Sequence, residues 1–485
     1  MLNEGNLTST ISMVTPTMAA DRNRVVVVMV PLPLQGHLNQ LLHLSRLVST
    51  HNIPVHFVCT TTHGRQAKLR IQGWNPHTIS TIYFHEYPIT PSASPPPDPK
   101  STNKFPSHLQ PLCEAATQLR HPVTSLLRKL APTTHRLVVI HDSLMGSVVQ
   151  DFVSLPNAES YTFHSVSAFS IALYTSKKIR EQMQELLEPD DLTKDLLSFE
   201  GCFTSEFKKF ISVEHEYTKL SSGRLYNTCR VVEQPILDLL ETEARNGNKL
   251  LWALGPFNPV DIKRSTVSRK DGGPVGRCLR WLDKQASNTV IFISFGTTIS
   301  FSQEQVLEIA AGLEKSNQKF MWVLRDADTG DKVSDDIRRL ELPEGYEYRV
   351  RDRGLVIREW APQLEILAHP SIGGFMSHCG WNSCMESISM GVPIAAWPLH
   401  SDQPTNAVLV TDILKVGFLV KEWSRREQVL PASAVEKAVM RLMGSNEGQE
   451  IRKRAVAIGR QVRKSVREGG DTRMELESFI AHIGR

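Results

Sequence analysis

The 485-residue chain lacks the features that mark several large classes of protein. No apolar run approaches the roughly 18 residues that a membrane-spanning helix requires. A net charge of +4 is small for this length, so neither nucleic acid nor a membrane surface is indicated as a partner. The Gly-x-Gly-x-x-Gly fingerprint of nicotinamide and flavin sites is also absent, which argues against a dinucleotide cofactor.

Cysteine patterns typical of disulfide frameworks or zinc sites are missing as well. The seven cysteines are an odd number, and no two of them form a Cys-x-x-Cys pair. A reduced, cytoplasmic chain is the simplest explanation. Residues 1–20 contain no basic residue and no solid apolar stretch, so we expect a disordered tail there and not a signal peptide.

The chain does contain a regular alternation of buried strands and helices. Arg24–Pro31 is a β-branched run typical of a strand that is buried on both faces. A helix from about His37 to Ser49 and a second strand at Ile53–Cys59 follow it. This β–α–β order predicts a parallel sheet with a right-handed crossover. The pattern restarts at Val290–Phe295, after a stretch of charges and glycines without periodicity.

This repetition predicts an α/β fold with two Rossmann-like domains whose parallel sheets face a cleft. A chain of 485 residues is too long for one ordinary domain. After the tail we expect a first domain at 21–255, a linker at 256–276 and a second domain at 277–465. Residues 466–485 are expected to form a helix that packs back on the first domain.

One stretch, residues 360–403, has the form of a diphosphate site. A strand is predicted at Gly354–Trp360. His378 ends a second predicted strand, and the turn after it leads into a helix predicted at Ser383–Met390. A helix N-terminus offers unpaired N–H groups and a positive dipole end, which together bind phosphates. The Glu386 carboxylate is suited to accept two ribose hydroxyls, and Trp360 is suited to stack on a flat base.

Each of these residues also has an ordinary structural explanation. A single Trp is usually part of a core, a single His is usually a hydrogen-bonded polar residue, and Asn382 or Ser383 can simply cap a helix. Together they form a gapless motif that resembles the signature box of plant family-1 UDP-glycosyltransferases. The matching residues are Trp360, Ala361, Pro362, Gln363, His369, Phe375, Ser377, His378, Cys379, Gly380, Trp381, Asn382, Ser383, Glu386, Ser387, Gly391, Val392, Pro393, Trp397, Pro398, Asp402 and Gln403.

The resemblance implies the GT-B form of the fold, in which the first domain binds the acceptor and the second binds the UDP-sugar. It also implies a donor site in which Trp360 stacks on uracil, Ala361, Gln363 and Glu386 contact the base and ribose, His378, Trp381, Asn382 and Ser383 bind the phosphates, and Asp402 and Gln403 hold the sugar. Thr298, in the loop after a predicted strand, is a further candidate phosphate contact. His400 departs from the family, where many members carry an aromatic residue. The ending His-Ser-Asp-Gln is similar to the zeatin (cytokinin) O-glycosyltransferase group.

A candidate catalytic pair lies in the first half. Gly36 allows a sharp turn that places His37 at a helix N-terminus, and Asp142 ends another strand at the same edge of the sheet. The helix dipole favours a neutral imidazole and the carboxylate favours a charged one, so the two effects on the pKa of His37 oppose each other. Helix capping is the ordinary structural explanation for both residues. In the family that the chain resembles, a His at this point deprotonates the acceptor hydroxyl, an Asp orients it, and the anomeric centre is inverted.

The similarity to the zeatin group extends to residues 31–48, 161–169, 252–259 and 293–298. It implies a zeatin-type cytokinin as acceptor and UDP-glucose or UDP-xylose as donor. A flavonoid or phenolic O-glucosyltransferase is the alternative, and a UDP-sugar epimerase or hydrolase and a non-catalytic small-molecule binder are more distant ones. The candidate acceptor contacts are Leu34, Met145, His164 and Phe169.

Asp326 and Asp328 form an Asp-x-Asp motif, a spacing with which other glycosyltransferases hold a metal–diphosphate complex. Here its charged surroundings indicate a solvated loop. No metal is needed if His378 and the helix N-terminus neutralise the diphosphate. We therefore expect no metal and no cofactor besides the UDP-sugar co-substrate, small molecules as the partners, and a monomer.

Overall fold

The computed structural model describes residues 25–90, 95, 98, 104–175, 177–187, 194, 197–262, 274–328 and 340–485. The predicted tail at 1–20 and the central part of the predicted linker, residues 263–273, lie outside these ranges. Within them the chain forms two parallel sheets, each flanked by helices. The predicted α/β fold with two Rossmann-like halves is confirmed.

The strands of the first sheet are β1 (Val25–Val30), β2 (Val55–Thr60), β3 (Ile82–Tyr87), β4 (Arg136–Asp142), β5 (Ala158–His164), β6 (Gly223–Tyr226) and β7 (Leu250–Ala253). They are parallel, in the order β3-β2-β1-β4-β5-β6-β7. The helices described in this half are α1 (Gln35–Ser49), α2 (Thr61–Arg70), α3 (Gln110–Ala115), α4 (Arg120–Leu130), α5 (Gly146–Val149), α6 (Ala168–Thr175), α7 (Lys177–Leu187), α8 (Ser205–Tyr217) and α9 (Arg230–Asn246).

The strands of the second sheet are β8 (Val290–Ser294), β9 (Lys319–Val323), β10 (Gly354–Ile357), β11 (Ile372–Ser377), β12 (Ile394–Ala396) and β13 (Gly417–Leu419). They are also parallel, in the order β10-β9-β8-β11-β12-β13. The helices described here are α10 (Pro274–Leu282), α11 (Gln303–Ser316), α12 (Tyr346–Val350), α13 (Gln363–Leu367), α14 (Trp381–Met390), α15 (Gln403–Val408), α16 (Ala432–Gly444), α17 (Asn446–Ser465) and α18 (Asp471–Ile483).

Strand β1 shows why these sheets form. Its residues Val27 to Val30 are fully buried, and alternate side chains enter two different apolar clusters on opposite faces of the sheet. A strand covered on both faces needs a continuous apolar run, which the valine-rich sequence supplies. Burying each such side chain contributes about 1.5–3 kcal/mol.

The strand order reverses between β1 and β4 in the first sheet and between β8 and β11 in the second. Open α/β sheets bind ligands at such points, beyond the carboxyl ends of the strands, because diverging connections leave a crevice there. His37 follows β1 and Asp142 ends β4, while Thr298 follows β8 and His378 follows β11. The residues that the sequence singled out therefore lie at the two crevices.

Two predicted elements have different limits in the structure. Strand β10 ends at Ile357 and not at Trp360, because the chain leaves the ladder before Trp360 and brings that side chain to the cleft. Helix α14 begins at Trp381 and not at Ser383, with Gly380 as its N-cap residue. Asn382 and Ser383 consequently lie inside the first turn and do not cap the helix.

The C-terminal helix α18 lies against the first sheet. The Phe479 ring is 5.2 Å from the Trp252 ring and 5.4 Å from the Tyr161 ring, between centroids. Glu475 accepts the backbone N–H of Ala253 at 3.0 Å. The domain boundaries at 255, 276 and 465 remain predictions. Within the described ranges, none of the helices combines the length and apolarity needed to cross a bilayer.

Candidate active site

A cavity of about 330 Å³ lies between the two sheets and is walled by both halves of the chain. His37 and Leu34 contribute from the first half. The predicted donor residues all line it from the second half: Thr298, Trp360, Ala361, Gln363, His378, Trp381, Asn382, Ser383, Glu386, Asp402 and Gln403. The fold thus brings the predicted base and the predicted donor site to one space.

His37 and Asp142 form a direct pair. The Nδ1 atom of His37 is 2.7 Å from Oδ2 of Asp142, whose side chain is fully buried behind it. The other carboxylate oxygen, Oδ1, accepts the backbone N–H of Leu144 at 3.0 Å, which fixes the carboxylate. The Ser165 hydroxyl also lies 2.9 Å from the His37 Nδ1 atom. Because Nδ1 is engaged on this side, Nε2 is the nitrogen left for a ligand.

The surroundings of His37 raise its pKa above the ordinary value of 6.5. Burial acts to lower the pKa, but the charge and hydrogen bond of Asp142 and the charge of Asp402 together outweigh it. The net direction is the one that the carboxylates favour. A raised pKa makes the imidazole a stronger proton acceptor.

His378 is held between two glycine turns at the ends of β8 and β11. A Cβ atom at Gly296 would lie 2.7 Å from the Nε2 atom of His378, and one at Gly380 would lie 2.5 Å from it. Gly296 also has φ +78°, which disfavours any side chain there. Burial lowers the pKa of His378 to about 4, with a smaller opposing effect from the Ser294 carbonyl, so the ring is neutral near pH 7. The neutral ring supplies no charge to a diphosphate.

The N-terminus of α14 faces the cavity, and its side chains already contact the first half. The Trp381 indole N–H donates to the carbonyl of Asn227 at 2.9 Å, and the Asn382 amide donates to the carbonyl of Gly36 at 2.8 Å. The Trp381 ring therefore has no donor left for a phosphate. The backbone N–H groups of this turn remain the natural phosphate ligands.

Glu386 and Gln363 form the part of the site predicted to hold ribose. The Gln363 amide donates to Oε2 of Glu386 and to the hydroxyl of Ser383, both at 2.9 Å. Burial raises the pKa of Glu386 to about 7, and the Gln363 hydrogen bond acts in the opposite direction. The carboxyl group keeps acceptor capacity for a diol, because only one of its oxygens is engaged.

The residues predicted to hold the sugar are tied to His400. The Gln403 Oε1 atom accepts the backbone N–H groups of Leu399 and His400 at 2.9 and 3.2 Å, and its Nε2 lies 3.1 Å from Nε2 of His400. The Thr298 hydroxyl reaches the same His400 nitrogen at 3.2 Å. Burial lowers the pKa of His400 to about 3, so it acts here as a neutral acceptor. His400, which departs from the family pattern, therefore helps to orient Gln403, a residue predicted to hold the sugar.

Three of the four candidate acceptor residues do not line the cavity. Met145 and Phe169 are 1% and 0% exposed in apolar clusters, and His164 stacks on Tyr226 with a centroid distance of 5.0 Å. Met145 follows β4, His164 ends β5 and Phe169 lies in α6, and all three side chains are buried in the core. Only Leu34 lines the cavity, so the predicted acceptor set needs correction.

An aromatic cluster from the first half lines the cavity instead, and sequence reasoning missed it. It comes from the segment around residues 105–109, from α6, and from α8 with the residues just before it. Phe207 and Ile211 are four residues apart on α8, and Phe203 precedes the helix at the same interval; this helical spacing was the available signal. The cluster that lines the cavity is Phe105, Leu109, Tyr174, Phe203, Phe207 and Ile211.

The Asp-x-Asp motif does not form a solvated loop at Asp328. Its carboxylate receives Arg70 at 2.6 and 3.2 Å and Arg325 at 2.5 Å. Two guanidinium groups therefore occupy the oxygens that a metal would need. In the described part of the chain, no group of three or more His, Cys, Asp and Glu side chains is arranged to hold a metal ion.

Comparisons with known proteins agree with this geometry. Residues 23–259 match the family model "Glycosyltransferase, N-terminal domain", and residues 270–440 match "UDP-glucoronosyl and UDP-glucosyl transferase". The chain is 53% identical to a zeatin O-glucosyltransferase of Phaseolus lunatus, over 95% of this chain and 97% of that one. It is 50% identical to a zeatin O-xylosyltransferase of Phaseolus vulgaris, over 96% and 99%.

Solved structures show the same architecture. A UGT transferase from Siraitia grosvenorii in complex with UDP matches with a TM-score of 0.74 and 28% identity, over 95% of this chain and all of that one. A Medicago truncatula UGT complexed with UDP-glucose matches with a TM-score of 0.74 at 23% identity, over 96% of this chain and 100% of that one, which shows the fold alone. The chain therefore belongs to the plant family-1 UDP-glycosyltransferases, near the zeatin O-glycosyltransferase group, and is a UDP-sugar-dependent glycosyltransferase with the two-domain GT-B fold.

Proposed function

We propose that the enzyme transfers glucose or xylose from a UDP-sugar to the side-chain hydroxyl of a zeatin-type cytokinin, with inversion, using His37 as general base and Asp142 to orient it. The observation that carries the proposal is the 2.7 Å pair of His37 and Asp142 on the wall of the cavity that also holds the donor motif. A base and a donor site must share one space for direct transfer.

In the proposed reaction the Nε2 atom of His37 accepts the proton of the acceptor hydroxyl. The oxygen attacks the anomeric carbon from the face opposite the diphosphate, and the bond from that carbon to the UDP oxygen breaks, with its electron pair leaving on UDP. The imidazolium that forms is stabilised by Asp142 through Nδ1. One displacement at carbon inverts its configuration, and no covalent sugar–enzyme intermediate is required.

The donor side would bind UDP through groups that the fold has already oriented. Trp360 would stack on uracil, and Glu386 with Gln363 would hold the ribose. The phosphates would meet the first turn of α14 and the neutral ring of His378. Asp402 and Gln403 would receive the sugar, with His400 fixing the Gln403 amide. Leaving-group charge is thus met by backbone dipoles and hydrogen bonds.

The acceptor side supports a flat, mainly apolar alcohol. The aromatic cluster surrounds the route to His37, and His215 lies at its edge, 5.9 Å from the Tyr174 ring between centroids. Burial lowers the pKa of His215, so it is a neutral group able to give or accept a hydrogen bond with a heterocycle. Two relatives, a zeatin O-glucosyltransferase and a zeatin O-xylosyltransferase, support both sugars as donors.

An acceptor panel crossed with UDP-glucose and UDP-xylose tests the proposal. The wild-type enzyme should glycosylate trans-zeatin with a kcat/KM well above that for flavonols and simple phenols. Preference for a flavonol would favour the phenolic alternative. Release of sugar or epimerised donor in the absence of any acceptor would favour the hydrolase or epimerase alternative.

The His37→Ala variant tests the base. Removing a general base should lower kcat by about 10²–10⁴-fold. UDP affinity, measured by calorimetry, should stay close to wild type because His37 does not belong to the donor side. His121→Ala, an exposed histidine on α4, is the control and should keep full activity. Undiminished turnover in His37→Ala would remove His37 from its role.

A further inference from the structure

We propose that Arg70, from the first half of the chain, is a positioning residue for the nucleotide base, held by Asp328 against the indole of Trp360. The uracil platform would then be complete only when the two halves are in contact. This inference rests on the proposed donor role of Trp360. It adds that the first half of the chain, which carries His37, also contributes to the site for uracil.

Asp328 is the centre of the contact between the halves. Its carboxylate binds the Arg70 guanidinium through two hydrogen bonds, of 2.6 and 3.2 Å, although the two residues are 258 positions apart. The side chains are only 16% and 21% exposed, so the pair is largely shielded from solvent. Bidentate arginine–carboxylate pairs fix orientation as well as distance. The direction of the Arg70 side chain is therefore well determined.

The backbone of Asp328 also contacts the loop after β8. Its N–H donates to the carbonyl of Thr297 at 2.6 Å, next to Thr298 on the cavity wall. Its carbonyl oxygen lies 3.2 Å from Nε2 of His108, a residue of the first half. Arg325 reaches the carboxylate at 2.5 Å from within the second half. Asp328 therefore joins the loop after β8 to two elements of the opposite half.

Arg70 held in this way lies over the indole of Trp360. The guanidinium carbon is 4.6 Å from the centroid of that ring, within the range of a cation–π contact. Trp360 lines the cavity and Arg70 does not. Arg325, which does line the cavity, has its guanidinium carbon 5.8 Å from the same centroid. Two guanidinium groups therefore lie over the indole, and that of Arg70 is the nearer.

A second contact between the two halves lies next to the pair of Arg70 and Asp328. The side-chain oxygen of Gln72, two residues after Arg70, accepts the backbone N–H of Leu364 at 2.8 Å. Leu364 follows Trp360 by four residues, at the start of α13. The chain after α2 thus runs along the segment that carries Trp360. Loss of Arg70 would free the indole on that side while leaving the diphosphate ligands of α14 in place.

The test is the affinity for UDP, measured by calorimetry on the full-length enzyme. Arg70→Ala and Asp328→Asn should each raise the Kd for UDP by about 3- to 10-fold. The double variant should be no weaker than the worse single variant, because both changes remove one arrangement. KM for the UDP-sugar should rise by a similar factor while kcat at saturating donor changes less. Arg70→Lys keeps the charge but not the planar fork, and should lie between wild type and Arg70→Ala.

Asp151→Asn is the matched control, since Asp151 forms a bidentate pair with Arg120 at 2.9 and 3.0 Å inside the first half. It should leave the Kd for UDP unchanged. Wild-type affinity in Arg70→Ala, Arg70→Lys and Asp328→Asn, or additive losses in the double variant, would overturn the proposal. Trp360→Ala separates the two levels. If it binds UDP normally, the donor site itself is misassigned; if it binds weakly while the Arg70 variants do not, only the role of Arg70 fails.

Discussion

Among single residues, His37 shows how groups from both halves of the chain set one proton affinity. Asp142 belongs to the same half and touches the ring, while Asp402 belongs to the other half and acts through its charge. Burial acts to lower the pKa of His37, yet its net pKa is raised above 6.5. Since the neutral ring is the active form of a base, raising its pKa moves the acidic limb of the activity profile to higher pH.

We predict that kcat/KM falls on the acidic side with a midpoint above pH 6.5. In Asp142→Asn the principal charge that raises the pKa is lost, so the midpoint should move to lower pH while the maximal rate drops by about 10²–10⁴-fold. Profiles from about pH 5 to pH 9 measure both effects. Asp238→Asn, a surface carboxylate paired with Arg230, should keep the wild-type profile. An unshifted midpoint in Asp142→Asn would contradict the assigned cause.

The sequence predicted many of the residues with which the second half lines the cavity, but few of those from the first half. Donor residues are concentrated within one local stretch, where strand ends and helix starts fix their direction. Acceptor residues come from separate elements, and the face that Met145 or Phe169 presents depends on how helices pack. Periodicity can locate such residues on an element but cannot say which face meets the cavity.

At the scale of elements, the donor site depends on how closely the turns after β8 and β11 approach each other. Gly296 and Gly380 leave room for the His378 ring between them. Gly296 also needs a left-handed backbone, which is the second reason for glycine there. A glycine elsewhere in the chain that has a left-handed backbone but no close neighbour separates these two requirements.

We predict that Gly296→Ala weakens UDP binding by roughly tenfold, because the new Cβ would displace His378. Gly469→Ala is the control: Gly469 has φ +74°, close to the +78° of Gly296, but no atom lies within 4 Å of its Cβ position. Both variants should lose about 1–2 kcal/mol of stability from the backbone conformation. Only Gly296→Ala should lose UDP affinity in calorimetry. Equal affinities would show that the space around His378 is unimportant.

At the scale of the whole molecule, the two sheets were predictable and their mutual contacts were not. Valine-rich runs and the restart of the pattern at Val290 indicate two parallel sheets from sequence alone. The pairing of Arg70 with Asp328 joins residues 258 positions apart, and no local sequence pattern predicts it. Helix α18 adds a second long-range contact, since it follows α17 of the second half yet lies on the first sheet.

Phe479 tests how much α18 stabilises the molecule. It is fully buried against Tyr161 and Trp252, so Phe479→Ala should lower the free energy of unfolding by about 3–5 kcal/mol. Met474→Ala, on the same helix but 51% exposed, should change it by less than about 0.5 kcal/mol. Denaturant titration measures both, and the UDP affinity of the folded enzyme should be unaffected. A small effect of Phe479→Ala would mean that α18 is only loosely attached.

The contribution of Asp402 to the proton affinity of His37 links that affinity to the contact between the two halves. Because Asp402 belongs to the second half and His37 to the first, the charge of Asp402 raises the pKa of the imidazole only as long as the halves keep this arrangement. In the proposed reaction, a change that moved the halves apart would therefore also weaken the base.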